Sequence, residues 1–405
     1  MKSLLDRADQ VLAPTYLRPP TLFVRGDGSW LEDERGEPYL DMTSGIAVNA
    51  LGHGSAVVRE AMRTAADGLV HTSNLFHTAP AIELASELVE HSFADRVFFC
   101  NSGAEANEAA IKLARLCGGE TRRRVVYFDG AFHGRTFGAL AATDRPAIRH
   151  AFEPLPLGFA RAAFDDDAAL GAIDDHTAAV IVEPMQGEGG VRTPRPEWLA
   201  TLRARCDATG ALLIFDEVQC GLGRTGKLWA HEHAGVTPDL MTLAKPLAGG
   251  LPMGAVLMTE RVAAHVTPGC HATTFGGGPF VASVALAVLR EVCRPALLAE
   301  VERKGLRLAD QLASLEPRGV RELRGRGLLV GVRVHQDAKA LVAAAREERL
   351  LIVGTSDDVV RFLPALDTPD ELLDEAVKRF AHALDRVAVV ERNTPATAAA
   401  AGGAR

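Results

Sequence analysis

The sequence predicts an α/β protein: a doubly wound, mainly parallel sheet joined to a smaller α+β domain. Three observations carry that prediction. Short apolar runs alternate with stretches of helical period between residues 56 and 295, the pattern changes after Pro295, and clusters of polar residues directly follow the apolar runs. A chain of 405 residues with 47% hydrophobic and 24% charged content is long enough for a large core and two unequal domains.

Residues 1–55 form a segment expected to pack with the smaller domain. Six runs then read as strands buried on both faces: "RVFFC" (Arg96–Cys100), "RVVYF" (Arg124–Phe128), "AAVIVE" (178–183), "ALLIF" (211–215), "DLMTLA" (239–244) and "GAVLMT" (254–259). Helical period appears between them, as at residues 107–117 and Pro196–Thr209. This places a large domain at 56–295. From 296 to 390 the chain reads as helix (296–314), short strands "GLLVGVRV" (327–334) and "VVRFLPAL" (359–366), and a closing helix (369–389). Residues 391–405 are low in complexity and read as an unstructured tail.

Composition excludes several classes of function. The net charge is −8 and basic residues are scattered, apart from Arg122–Arg124, so no nucleic-acid footprint is expected. The six cysteines are far apart with no C-x-x-C pair, which argues against structural zinc and a disulfide framework and for a reducing cytoplasm. Neither a signal-like N-terminus nor an apolar stretch of membrane-spanning length is present, so no membrane association is expected. "HEHAG", with His231 and His233, reads as a solvated loop rather than a metal site, and His133 and His271 read as flanking residues that position backbone.

Five polar groups follow predicted strands directly: Asn101 and Ser102, 129–135, 183–188, 216–219, and Lys245. In open α/β sheets the strand C-terminal edge is where ligands bind, so their convergence predicts a site. Two nucleotide fingerprints compete for attention in "GLGRTGK". Leu228 stands where a P-loop needs Ser or Thr, and "DEVQC" separates the glycines from their strand, so neither fingerprint has its required context. The glycines read instead as a loop bending closely past its neighbours.

A better anion cradle is "CNSGAEANEAA" (100–110), where strand, Ser-Gly-Ala and helix aim free N–H groups and the positive end of a dipole at a phosphate. Alone, Ser102 reads equally as a plain N-cap. Asp216 and Lys245 each sit in apolar surroundings and could simply pair with one another. Together with the cradle, however, a lysine able to form a Schiff base and an aspartate able to hold a protonated pyridine nitrogen are the parts that pyridoxal 5'-phosphate requires.

The motifs "FCNSGAEANEA", "FHGRT", "VEPMQGEGG", "LLIFDEVQCGLGRTG", "TLAKPLAGGLP" and "TTFGG" together resemble those of the subgroup (class) III pyridoxal-phosphate-dependent aminotransferases, in order through nearly the whole chain. That resemblance implies the PLP fold type I and a homodimer with shared active sites, acting on small amino acids and 2-oxo acids. Lys245 would bind the cofactor covalently and Asp216 would hold its pyridine nitrogen. Ser102, Gly103 and Ala104 would take the phosphate, joined by Thr274 of the partner subunit. Phe132 and Val218 would pack the two ring faces, with core packing as the alternative for Phe132, and Gln219 would approach the phenolic oxygen. Arg361 would grip the α-carboxylate of glutamate or 2-oxoglutarate, and Arg135, helped by Thr273, that of an ω-amino substrate. Glu188 would neutralise Arg361 while the ω-amino substrate is bound. Surface salt bridging is the alternative for these three charged residues. Gly278 and Phe280 depart from the commoner family pattern of asparagine and leucine and touch the loop carrying Thr273 and Thr274. An aminomutase on the same fold, and an NTPase resting on the glycine fingerprints, are the competing classes of function.

Overall fold

A computed structural model describes residues 4–390; the expected tail at 391–405 lies outside them. The first three strands, β1 (Phe23–Asp27), β2 (Trp30–Asp33) and β3 (Pro38–Asp41), form an antiparallel meander. Its free edge is completed far along the chain by a two-residue strand, Leu350–Leu351, parallel to β3.

The large sheet contains β4 (Arg96–Cys100), β5 (Arg124–Phe128), β6 (Phe159–Ala162), β7 (Thr177–Val182), β8 (Leu212–Asp216), β9 (Leu240–Leu243) and β10 (Gly254–Met258), in the order β4-β10-β9-β8-β7-β5-β6. Strands β7, β8, β9 and β10 are buried along their whole length, as continuous apolar runs require. β4 departs from expectation. It lies at the sheet edge, and only Cys100 of its five residues is fully buried.

β6 was not legible in the sequence, because "FARA" is short, interrupted by an arginine and at the opposite edge. β10 runs antiparallel to both neighbours, for a simple reason of length. Residues 244–253 are too few for a crossover, which takes about a dozen residues or more. Because β10 is reversed, β4 again points the same way as β9, and the C-terminal ends of β4, β5, β7, β8 and β9 share one edge.

A third sheet, β11 (Val320–Arg326), β12 (Leu329–Val334), β14 (Val353–Ser356) and β15 (Val359–Phe362), with the two-residue strand above counted as β13, is antiparallel in the order β11-β12-β15-β14. β11 escaped the sequence reading because "VRELRGR" is mostly exposed and charged. Three helices pack on this sheet, Ala338–Glu347 lying against β14 and β15. Pro295–Ala313 buries Val301, Leu308 and Leu312 on one stripe. Asp370–Arg386 opens with two acids and ends on Arg386, matching the helix dipole, and sets Phe380 edge-on to Phe362 with centroids 5.2 Å apart.

The glycine-rich turn after β8 seats against the helix Pro295–Ala313. A Cβ on Gly226 (φ 88°) would lie 2.9 Å from Glu302 Cβ, and one on Gly223 (φ 81°) 3.2 Å from Leu298 Cδ2. Between them the buried Arg224 donates to the carbonyls of Leu328 and Pro364. These glycines therefore permit close packing, the physical reason for a pattern that imitates a nucleotide loop.

Candidate functional site

The five strand ends surround a cavity of about 420 Å³ lined by residues from every one of them. At β4, Ser102 is extended (φ −155°, ψ 164°) and caps the helix Gly103–Cys117, its Oγ accepting from Glu105 N–H at 3.2 Å. Glu105 returns a carboxylate to Asn101, so the turn is held from both sides. Gly103 and Ala104 occupy the first helical turn, whose N–H groups have no intrahelical acceptor. Nothing larger than glycine fits at 103, because a Cβ there would stand 2.8 Å from Val218 Cγ1.

Asp216, at the end of β8, is 3% exposed and held on both oxygens. Oδ2 accepts from Asn107 Nδ2 and faces His133 Nδ1, both at 2.7 Å, and Oδ1 accepts from Val218 N–H at 3.0 Å. Asn107 is fixed in turn by the carbonyl of His133 and by Thr242 Oγ. His133 therefore does more than position backbone. Neither it nor Asn107 was singled out as a carboxylate partner in the sequence; the available signal was an asparagine on a helix face otherwise made of small apolar residues.

Lys245 follows β9 with a positive φ of 32°, a region that is costly for a residue with a side chain. Burial pushes its amine down to about 8, partly opposed by the carboxylates of Glu188 and Asp216. Glu183, after β7, is buried and pushed up to about 7, chiefly by desolvation. Its two oxygens accept from the N–H groups of Phe132 and Gly187, both at 2.9 Å, and so tie the β5 loop to the β7 loop. Phe132 lines the cavity, with the exposed Arg135 guanidinium 5.8 Å from its ring centroid.

Arg361, on β15, is fully buried and does not itself line the cavity. Nη2 donates to Glu188 Oε1 at 2.7 Å and Nη1 to Gln219 Oε1, while Nε has no partner. Both residues that hold it are cavity-lining. Burial alone would raise the Glu188 carboxyl; the Arg361 and Lys245 cations outweigh it and hold it at about 2.

Two predicted residues stand apart within this chain. Thr273 accepts from Asn101 Nδ2 at 3.2 Å but lines a neighbouring cavity, and Thr274 lines a smaller one of about 190 Å³ with His71, Asn74 and Thr78. Gly278, the N-cap of helix Pro279–Val292, shares that smaller cavity. His271 packs on Phe98 and contacts Lys112. The expectation for His231 is corrected: it is 7% exposed, not solvated. Glu217, buried beneath the site, needs donors and takes them from His231 Nδ1 at 2.7 Å and from two backbone N–H groups. Among the described residues there is no metal-ligating cluster, and no helix is long and apolar enough to cross a membrane.

A buried amine at a lowered pKa, a fixed carboxylate and an anion-binding helix start on one wall suit a ring bearing an aldehyde, a basic nitrogen and a phosphate. These residues fit pyridoxal 5'-phosphate. Comparison with known proteins agrees: the family described as Aminotransferase class-III matches residues 11–384. The chain is 48% identical over 389 residues to the mitochondrial acetylornithine aminotransferase of Alnus glutinosa, covering 93% of this chain and 86% of that one. It is 45% identical over 393 residues to the succinylornithine transaminase of Salmonella newport, covering 94% and 96%. The crystal structure of Toxoplasma gondii ornithine aminotransferase superposes with a TM-score of 0.90 at 32% identity, covering 95% of each chain. The match takes in every residue placed around the cavity, and the chain belongs to the class-III aminotransferases, enzymes that depend on pyridoxal 5'-phosphate.

Proposed function

We propose that this enzyme transfers the δ-amino group of N2-acetylornithine to 2-oxoglutarate, giving N-acetylglutamate 5-semialdehyde and glutamate, in arginine biosynthesis. One observation carries the reading: of two guanidinium groups at the site, Arg135 is open and Arg361 is closed off by Glu188. An ω-amino substrate presents one α-carboxylate and needs one open fork; a dicarboxylic acceptor needs a second that can be uncovered. Among the described residues, Arg135 is the one Lys or Arg on the cavity wall besides Lys245, which suits an uncharged acetyl group better than a succinyl group with its further carboxylate. Relatives named for succinylornithine and ornithine keep those donors as the second reading.

When bound, the cofactor draws electrons away from the bond broken at the amine-bearing carbon. Ser102, Gly103 and Ala104 would hold its phosphate, with Thr274 of the partner subunit; Phe132 and Val218 would confine the ring, and Gln219 would lie on the side of the phenolic oxygen. Asp216 would hold a proton at the pyridine nitrogen, a charge-assisted hydrogen bond contributing about 1.5–3 kcal/mol. Lys245 Nζ would anchor the cofactor and, as a free amine, would be the base that takes the proton from the amine-bearing carbon of the substrate. Arg135 and Thr273 take the α-carboxylate of the ω-amino donor, and Arg361 that of glutamate once Glu188 withdraws.

The working unit is a homodimer. Leu75, Phe76 and Phe275 are exposed at 84%, 71% and 67% around the cavities that contain Thr273 and Thr274, an apolar surface that a second copy would bury. The six thiols are unpaired, which suits a reducing cytoplasm. The deciding experiment is a kcat/KM comparison of N-acetylornithine, N-succinylornithine, ornithine and 4-aminobutyrate with 2-oxoglutarate. N-acetylornithine is expected to lead; a preference for N-succinylornithine reassigns the donor, and turnover without a 2-oxo acid makes the enzyme a mutase.

A further inference from the structure

Arg361 is held by two side chains of different charge; the acidic one gates it in the reading above, while the neutral one is assigned there only to the cofactor's phenolic oxygen and its contact with Arg361 has no role. Gln219 is 7% exposed and points its Oε1 at Arg361 Nη1, while its Nε2 lies 3.4 Å from Glu188 Oε1. One amide thus touches both members of the ion pair. It reaches this position through the space that Gly187 leaves open, where an added Cβ would lie 1.9 Å from its Oε1. Gly187 is itself fixed through its N–H to Glu183.

Consider what remains when Glu188 leaves. A guanidinium with all its partners gone would be a buried, unpaired charge, costly in itself and free to reorient. Arg361 Nε already lacks a partner, so the group has no reserve of protein acceptors. The amide oxygen of Gln219 is then the side-chain acceptor left in contact with it, and being neutral it holds the fork without competing with a carboxylate for the charge.

We propose that Gln219 is a second, neutral latch on Arg361: it keeps the guanidinium aimed at the cavity while Glu188 is displaced, and the absence of charge at position 219 is what lets a second substrate carboxylate bind there. Gln219 is a positioning and specificity-determining residue in this account, acting through Arg361. The inference rests on the assignment of Arg361 to the carboxylate of glutamate and 2-oxoglutarate.

The test uses the holoenzyme and glutarate, a dicarboxylate with no amino or oxo group, with binding measured by calorimetry. Gln219→Glu, nearly the same size, adds a second carboxylate to the fork and should weaken glutarate by about ten- to a hundredfold, as like charges meeting at one site do. Because Gln219 is also placed beside the cofactor's phenolic oxygen, cofactor occupancy is first matched to wild type by absorbance; any remaining loss common to both ligands is then the cofactor effect, and the glutarate loss should exceed the change in half-saturating concentration of N-acetylornithine in its single-turnover half-reaction by about tenfold or more. The exchange variant, Gln219→Glu with Glu188→Gln, restores one acid and one amide and should recover most of the lost affinity, which a merely structural role would not do. Unchanged glutarate binding in Gln219→Glu, equal losses for both ligands, or no recovery in the exchange variant overturns the proposal. Arg361→Ala separates the two levels: if it abolishes glutarate binding while Gln219→Glu does not weaken it, the Arg361 assignment stands and the latch fails; if it binds glutarate as wild type does, the assignment itself falls, and the latch with it.

Discussion

The two ends of the cavity are built on opposite principles. At the cofactor end, Asp216 is buried and bonded to Asn107, His133 and the N–H of Val218, and Asn107 is itself tied to Thr242 and the His133 carbonyl. Each partner sits on the sheet, on its covering helix or directly after a strand, so nothing there can move alone. At the substrate end, Arg135 is exposed, and Arg361 depends on two side chains, Glu188 and Gln219, that a ligand can displace or share. A group that must stay in one protonation state is overdetermined; groups that must alternate between two substrates are held by single, exchangeable contacts.

If that contrast is real, damage at the cofactor end should cost both half-reactions equally, and damage at the substrate end should separate them. The largest effect belongs to Lys245. Lys245→Ala removes the proposed proton carrier and should lower both half-reactions by about a thousandfold or more, general acid–base groups contributing about 10²–10⁴. Borohydride reduction of the wild type should fix the cofactor to the peptide containing Lys245; label on another lysine ends the assignment.

Next come the arginines. Arg361→Ala removes the buried guanidinium proposed to take the α-carboxylate, leaves the half-buried Glu188 without its partner, and should cost glutamate and 2-oxoglutarate about 2–5 kcal/mol in kcat/KM. N-acetylornithine should suffer far less. Arg135→Ala should reverse the pattern, and Glu188→Ala should improve glutamate as donor relative to N-acetylornithine. Single-turnover spectra with each donor decide the matter: equal losses for both donors in both arginine variants would erase the distinction between the two ends.

A smaller, symmetric effect is expected at His133. His133→Phe deprives Asp216 of one of its partners while leaving Asn107 and Val218, and should weaken cofactor binding and slow both half-reactions by about ten- to a hundredfold, the range of a hydrogen bond to a charged group. Cofactor affinity from absorbance titration and the two half-reaction rates should fall together. Loss of one half-reaction only would show that His133 belongs to the substrate end.

How much of this was legible in the chain follows the same division. The residues at the strand ends could be read because continuous apolar runs announce buried strands and the polar residues after them stand out, as with Asp216 after "LLIF" and Lys245 after "LMTLA". The antiparallel turn of β10 was legible in principle from the short connection that precedes it. What could not be read were partnerships across the fold: Asn107 and His133 meet Asp216 from 109 and 83 residues away, and although Asn107 stands out on an apolar helix face, nothing local names its partner. β6 and β11 were hidden because edge strands need not be apolar. His231 was misread because a run such as "HEHAG" looks solvated until the buried Glu217 that it satisfies is in view.

Glu183 sits between the two ends, and the smallest predicted effect tests that position. Its carboxyl is pushed up to about 7 by burial and by Asp216, with His133 and the N–H groups of Phe132 and Gly187 working the other way. For an acid whose pKa is higher in the folded state, the unfolded chain binds fewer protons between the ordinary carboxylate range and about 7. Its contribution to stability is therefore fully present at acid pH and is lost as the pH rises through about 7. Glu183→Gln removes that titration but offers only one oxygen to two N–H donors, so one of them loses its acceptor at every pH. The two effects have opposite signs and different pH dependence. The variant should be clearly less stable than wild type at about pH 5, and the gap should narrow toward pH 8, where the wild type carries the cost of a buried charge. Thermal unfolding of both holoenzymes across this range, taken as a difference so that other titrating groups cancel, measures it directly. A gap that stays constant, or widens with pH, would mean that Glu183 does not titrate in this range and that burial does not govern its carboxyl.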